Sequence, residues 1–329
     1  MIYLGVDISK QKFDVCLLPE GSSGKKKSKV FKNAPGADRE LKTWLLRQKC
    51  DPAQVTVVME ATSVYHENLA FALHHDSTVT VCMANPQRVR EFARGMGILT
   101  KNDTVDAFVL ACYGELKQPE PWVPPAPEVR KLRALLRRRD ALQEDVQRTL
   151  NRLEKALSTQ TPREVITSLK RTRQWLQKEL ERIEQLIADH INNHPGLKED
   201  LDLLKSIKCV KDKTGQMMLA VLRAGEFRSA SQVAAYLGLV PVERSSGSSV
   251  WHRPRMSKAG PPEVRAKLYV AALSAIRYNA QGKALYERLL ARGTAKKAAV
   301  GAVMRKLVHL CYGVLKTRQP WDANYAATA

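Results

Sequence analysis

The sequence predicts an α/β domain on a mixed sheet, followed by a long helical region. Three observations predict it. Two short apolar runs, residues 2–8 and 55–60, each close on a carboxylate, Asp7 and Glu60, as buried strands do at the rim of a sheet. Short amphipathic stretches alternate with such runs to about residue 118, the order expected of an α/β sheet. Beyond a segment with five prolines, 118–127, apolar residues recur at three-and-four spacing for more than sixty residues, the periodicity of packed helices. The chain therefore divides into an α/β domain (1–118), a proline-rich linker (119–127), a helical hairpin or coiled coil (128–196) and a mainly helical last domain (197–329).

Each element has its own warrant. Residues 12–18 and 28–32 read as antiparallel neighbours of the first strand, with 21–27 as the turn. Leu41, Trp44 and Leu45 give 38–48 a helical face, with Asp38 as its N-cap. Residues 66–74 and 88–94 read as helices around a short strand at 78–83, and a further helix runs from Asp103 through Tyr113. In the middle region Thr161-Pro162-Arg163-Glu164 reads as a capping box opening the second arm of the hairpin. The last domain reads as helices over 201–207, 214–222, 231–237, 261–277, 284–291 and 295–315.

Composition narrows the partner. The 329 residues carry 54 Lys and Arg against 33 Asp and Glu, a formal net charge of +21. A chain so basic suits a polyanion, nucleic acid first. No apolar run of about 18 residues is evident for spanning a bilayer. The apolar start is short and holds Asp7, unlike a signal peptide. Six cysteines without C-x-x-C spacing read as reduced thiols of a cytoplasmic protein.

The chemistry concentrates in two places. Asp103 and Asp106 stand three apart at a helix start, so their side chains share a face. Either they serve as cap and dipole partners, or they join Asp7 and Glu60 at the sheet rim. Four carboxylates gathered there repel unless a cation lies among them. Mg²⁺, a hard ion with oxygen ligands, is the fitting one. The second place is 241–260, where Ser245, Ser246, Ser248 and Ser249 surround Gly247 amid Arg244, Arg253, Arg255 and Lys258. This reads as a mobile polycationic loop. A serine hydroxyl there could attack phosphorus while the cations hold the phosphate; chemistry alone does not choose among the four serines. Arg130, Lys131, Arg133, Arg137, Arg138 and Arg139 crowd ten residues without an acid and suit the phosphate backbone.

G-V-D-I-S-K near the N-terminus, V-V-M-E-A-T with Tyr65 after it, T-K-N-D-T-V-D-A, and S-S-G-S-S-V followed by R-M-S-K-A-G together resemble the IS110-type family of insertion-sequence transposases. The resemblance runs from residue 2 to about 325. It implies a RuvC-like, ribonuclease-H-fold first domain whose D-E-D-D tetrad falls on Asp7, Glu60, Asp103 and Asp106. It places the nucleophilic serine on Ser246 in a C-terminal transposase domain. It further implies a Mg²⁺-dependent DNA recombinase with a covalent phosphoserine link. A structured noncoding guide, the bridge RNA, would pair with donor and target DNA, and a dimer would assemble to a tetramer. The same residues admit two other readings. One is a metal-dependent, structure-selective nuclease, junction-resolvase-like, with water as nucleophile. The other is a non-catalytic nucleic-acid-binding protein. The family's glycine-containing turn falls on 207–212, which holds no glycine here.

Overall fold

The computed structural model of the protein describes residues 2–61, 64–100, 102–246 and 250–322. The chain divides into two compact units, Met1–Pro124 and Pro125–Ala329.

The first unit is the expected α/β domain. Its strands are β1 (Ile2–Ile8), β2 (Lys12–Leu18), β3 (Lys27–Lys32), β4 (Val55–Glu60) and β5 (Thr80–Ala84). They form a mixed sheet in the order β3-β2-β1-β4-β5, in which β4 and β5 run parallel to β1 while β2 is antiparallel to it. Helices α1 (Ala37–Arg47) and α2 (Glu67–Asp76) belong with one face, whose core includes Leu4, Val6, Phe13, Leu41 and Leu73. Helices α3 (Pro86–Gly95) and α4 (Asp103–Lys117) cover the other, over Tyr3, Val58, Cys82 and Leu110. Alternation along each strand produces this division, because successive side chains point to opposite faces. The cap of α1 is Gly36, at φ 88°, and Asp38 lies inside the first turn; this corrects the expectation that Asp38 caps it.

Gly5 determines how closely α4 approaches the sheet. A Cβ there would lie 1.9 Å from the Ala107 carbonyl oxygen and 2.4 Å from the Ala111 nitrogen. Only a residue without a side chain lets the helix backbone lie directly on β1. The proline-rich segment does not leave the unit at once. Trp122 donates its backbone N–H to the Val81 carbonyl at 2.7 Å and packs its ring on Phe71, with centroids 5.3 Å apart. Pro121 bridges Cys82. Residues 119–122 therefore lie along β5.

The second unit opens with two long helices, α5 (Pro127–Leu157) and α6 (Arg163–Asn192). They run antiparallel, and His190 Nε2 near the end of α6 reaches the Glu128 carbonyl at the start of α5, 2.8 Å away. The Thr161 capping box does not form. Pro162 caps α6 without a side-chain bond, and the Thr161 hydroxyl pairs with that of Thr159 instead. Next come α7 (Pro195–Ser206), α8 (Asp212–Leu222) and α9 (Ala230–Tyr236), a ribbon of β6 (Pro241–Ser246) and β7 (Val250–Met256), and helices α10 (Pro262–Tyr278), α11 (Ala280–Ala291) and α12 (Lys296–Thr317). One core joins the hairpin to the later helices, with Leu132, Ile187, Leu204, Met218, Leu268 and Leu307 among its members. By length and composition α12 is apolar enough to cross a membrane, which corrects the expectation that no such run exists. Half of that apolar stretch is buried within the unit, in the core that holds Val303, Leu307 and Val308.

Candidate active site

The acid rim is built by sheet register. Val6 pairs with Met59, so Asp7 and Glu60 follow side by side at the ends of parallel neighbours. On the other side of β1, Asp7 pairs directly with Asp14 of β2. Opposed residues of an antiparallel pair share a face, and it is the face that Gly5 opens to α4. The helix starts at Asp103, with Asn102 as its cap, the Asn102 side chain accepting from the Val105 N–H at 2.8 Å. Neither acid is therefore the cap. Asp103 and Asp106 both sit in the first turn of α4, over the β1 rim.

The electrostatics report the gathering. The Asp7 carboxyl is pushed up to about 6, first by burial and then by the charges of Asp106, Asp103, Glu60 and Asp14. The other three predicted acids thus all act on Asp7, and a further one, Asp14, joins them. Lys12 answers part of this charge. Its Nζ lies 2.9 Å from Asp103 Oδ2 and 3.1 Å from Asp14 Oδ2, and these bonds raise its own pKa, that to Asp103 most. Asp14 and Lys12 were not among the predicted site residues. A signal existed: with period two, Lys12 and Asp14 share a face of β2, and a tight antiparallel return from β1 brings that face to Asp7.

The donor set suits a hard divalent cation, being wholly carboxylate and carrying a raised Asp7 that a cation would relieve. Among the described residues, no three acidic, His or Cys side chains are drawn together as a ready metal cluster. Lys12 instead holds Asp103. Asp7, Glu60, Asp103 and Asp106 are the residues that could hold the ion.

The flanks of the serine segment, expected to be loop, are the strands of a β-ribbon. Strands β6 and β7 pair antiparallel, with Ser245 opposite Trp251 and Ser246 opposite Val250. Residues 247–249 lie outside the described residues, as do the side chains of Arg244, Ser246 and Arg253; Arg255 and Lys258 are exposed. The ribbon's base is pinned. A Cβ on Gly238, at φ 69°, would meet the Ala259 carbonyl at 2.1 Å, and one on Gly260, at φ 82°, the Tyr236 carbonyl at 2.0 Å. Both glycines are required by the backbone and by the crossing. Arg265 of α10 fastens the same place, donating to the Ala259 and Gly260 carbonyls at 3.0 and 2.8 Å. Nothing in the sequence singled out Arg265.

The basic run divides. Arg130, Lys131, Arg137 and Arg138 are exposed and Arg133 is partly so. Arg139 is 1% exposed and bonds Asp140 and Gln216, with Nη1 2.8 Å from Gln216 Oε1. It is a buried tie between α5 and α8 and does not face a backbone phosphate, which corrects its place in the run. At the turn between α7 and α8, Cys209 takes the left-handed conformation, φ 82°, the region that favours glycine.

A family model described as "Transposase" (DEDD_Tnp_IS110) matches residues 4–162, and one described as "Transposase IS116/IS110/IS902 family" matches 201–287. The pilin gene-inverting protein of Moraxella bovis is 30% identical over 97% of each chain, and that of Moraxella lacunata 31% over the same shares. An uncharacterised 43.6 kDa protein of insertion element IS110 from Streptomyces coelicolor is 23% identical over 38% of this chain and 31% of its own. Among solved structures, Thermus thermophilus RuvC matches at 15% identity with a TM-score of 0.28, covering 37% of this chain and all of its own.

Proposed function

The chain belongs to the IS116/IS110/IS902 transposase family and is a DNA recombinase, and from this premise we propose that it cuts and rejoins DNA through a serine nucleophile served by the acid rim. The observation that carries the reading is the gathering of Asp7, Asp14, Glu60, Asp103 and Asp106 around one strand end, with Asp7 pushed up to about 6. Charges of one sign gathered this closely repel one another, and a rim built this way suits a site that receives positive charge. Asp7, Glu60, Asp103 and Asp106 would hold Mg²⁺, which when bound supplies charge neutralisation at the scissile phosphate.

The protein's own groups do the rest. The Ser246 hydroxyl attacks phosphorus, the new Oγ–P bond forms, and the P–O bond to the departing deoxyribose breaks. The serine proton leaves to a base, and the departing oxygen takes up a proton. Arg244, Arg253, Arg255 and Lys258 neutralise the charge that develops on the phosphoryl oxygens. The phosphoserine link conserves the bond, so that a second strand's hydroxyl can reverse the attack and complete an exchange. The name of the Moraxella relatives, pilin gene-inverting protein, is in keeping with such exchange between two DNA sites. Sequence choice falls to a guide RNA paired with donor and target, with Arg130, Lys131, Arg133, Arg137 and Arg138 on its backbone. Two DNAs brought together require more than one protomer, a dimer assembling to a tetramer. The protein works in the cytoplasm, at the nucleoid.

The test is a cleavage reaction with Mg²⁺, guide RNA and DNA, stopped in denaturant and resolved on a gel. A protease-sensitive DNA adduct that maps by mass spectrometry to Ser246 is the expected result. Free cleaved ends without an adduct, still produced by Ser246→Ala, would replace the serine by water.

A further inference from the structure

We propose that Lys12 is a latch on the acid rim, an internal cation that holds Asp103 against Asp14 in the metal-free protein and yields that carboxylate when a divalent cation enters. The inference rests on the metal-site reading above. The two ends of the contact differ. Asp14 is fixed: its side chain is 8% exposed, mid-strand on β2, opposite Asp7. Asp103 is open to solvent: its side chain is 53% exposed at the start of α4. Asn102 already caps the helix, so the Asp103 carboxylate has no capping role that would keep it in place.

The latch accounts for two observations together. Burial first, and then the charges of four neighbouring carboxylates, raise Asp7, yet among the described residues no three acids form a ready metal cluster. A lysine that draws Asp103 toward β2 relieves part of the repulsion and also occupies a ligand. An ion pair this exposed is weak, so a doubly charged cation can displace it. On release the ammonium remains tethered through Asp14 at the rim, placed to meet a phosphate oxygen.

The experiment is calorimetric titration of the full-length protein with Mn²⁺ alone, without nucleic acid, on wild type, Lys12→Met, Lys12→Gln and Asp7→Asn. Removing one positive charge beside a bound dication should tighten binding about tenfold in Lys12→Met. Lys12→Gln, which keeps a hydrogen bond to Asp14, should shift the same way. Melting in EDTA should fall for Lys12→Met and recover with Mn²⁺. A merely structural lysine would weaken metal binding as it weakens the fold, so tighter binding beside a lower melting temperature is the distinguishing result. Unchanged or weaker binding in both Lys12 variants, with binding abolished by Asp7→Asn, would overturn the latch and leave the metal reading standing. Binding indifferent to Asp7→Asn would overturn the metal reading and the latch with it.

Discussion

At the scale of single residues, Asp7 carries a penalty that can be measured. Its folded pKa of about 6 exceeds the ordinary 3.8. The folded state therefore binds the proton more tightly than the unfolded chain, and stability falls as pH rises from about 4 to about 6. Above that window the ionised carboxylate costs on the order of 1 kcal/mol, once water around a part-exposed group is discounted. Asp7→Asn should consequently raise the urea midpoint at pH 8, leave it unchanged near pH 4, and abolish strand cleavage. A loss of stability at pH 8 would remove the electrostatic account of the rim. Cys209 is a second case. At φ 82° a residue with a Cβ costs about 1 kcal/mol or more, so Cys209→Gly should stabilise the protein by roughly 0.5–1 kcal/mol despite glycine's freer unfolded chain. Denaturant titration beside Cys209→Ala, which keeps the strain, measures it. The absent glycine at this turn was legible in the sequence; that the turn keeps glycine's conformation regardless was not, because no local signal marks a cysteine for positive φ.

At the scale of elements, the strands that carry Asp7 and Glu60 at or beside their last residue were legible because a buried apolar run closing on a charge has few other places to be. Asp14 was hidden inside a run that also reads as a strand, and only the pairing of β2 with β1 sets it opposite Asp7. The flanks of the serine segment read as loop for a related reason. Ser and Gly around 245–249 are turn residues, whereas the strand character of their flanks comes from the pairing of β6 with β7, which no local signal in either stretch announces. Arg139 belongs to the basic run by charge, yet by spacing it interrupts the apolar seam of α5, and that seam turns it inward to Asp140 and Gln216. The run's two parts should separate by experiment. Arg137→Ala with Arg138→Ala should flatten the salt dependence of RNA affinity by about 0.7 per lost phosphate contact without altering the melting temperature. Arg139→Ala should leave the salt slope alone and cost about 2–3 kcal/mol, because it empties a buried volume and cuts the bonds to Asp140 and Gln216. Filter binding across a salt series, paired with thermal melts, checks both.

At the scale of the whole molecule, the protein is two units with separate cores, the acids in one and the serine ribbon in the other. The proline count suggested that the first unit ends near residue 118, but the packing of Trp122 carries it to Pro124. That packing has a practical consequence for dissecting the protein. β5 ends the sheet order, and an outermost strand with a bare row of N–H and C=O groups is a template for joining another copy. Residues 119–122 shield it. A fragment ending after Pro124 should elute from a sizing column as a soluble monomer. A fragment cut six residues earlier, at Gln118, should aggregate through the uncovered strand, although every residue of the tetrad and every strand of the sheet would still be present.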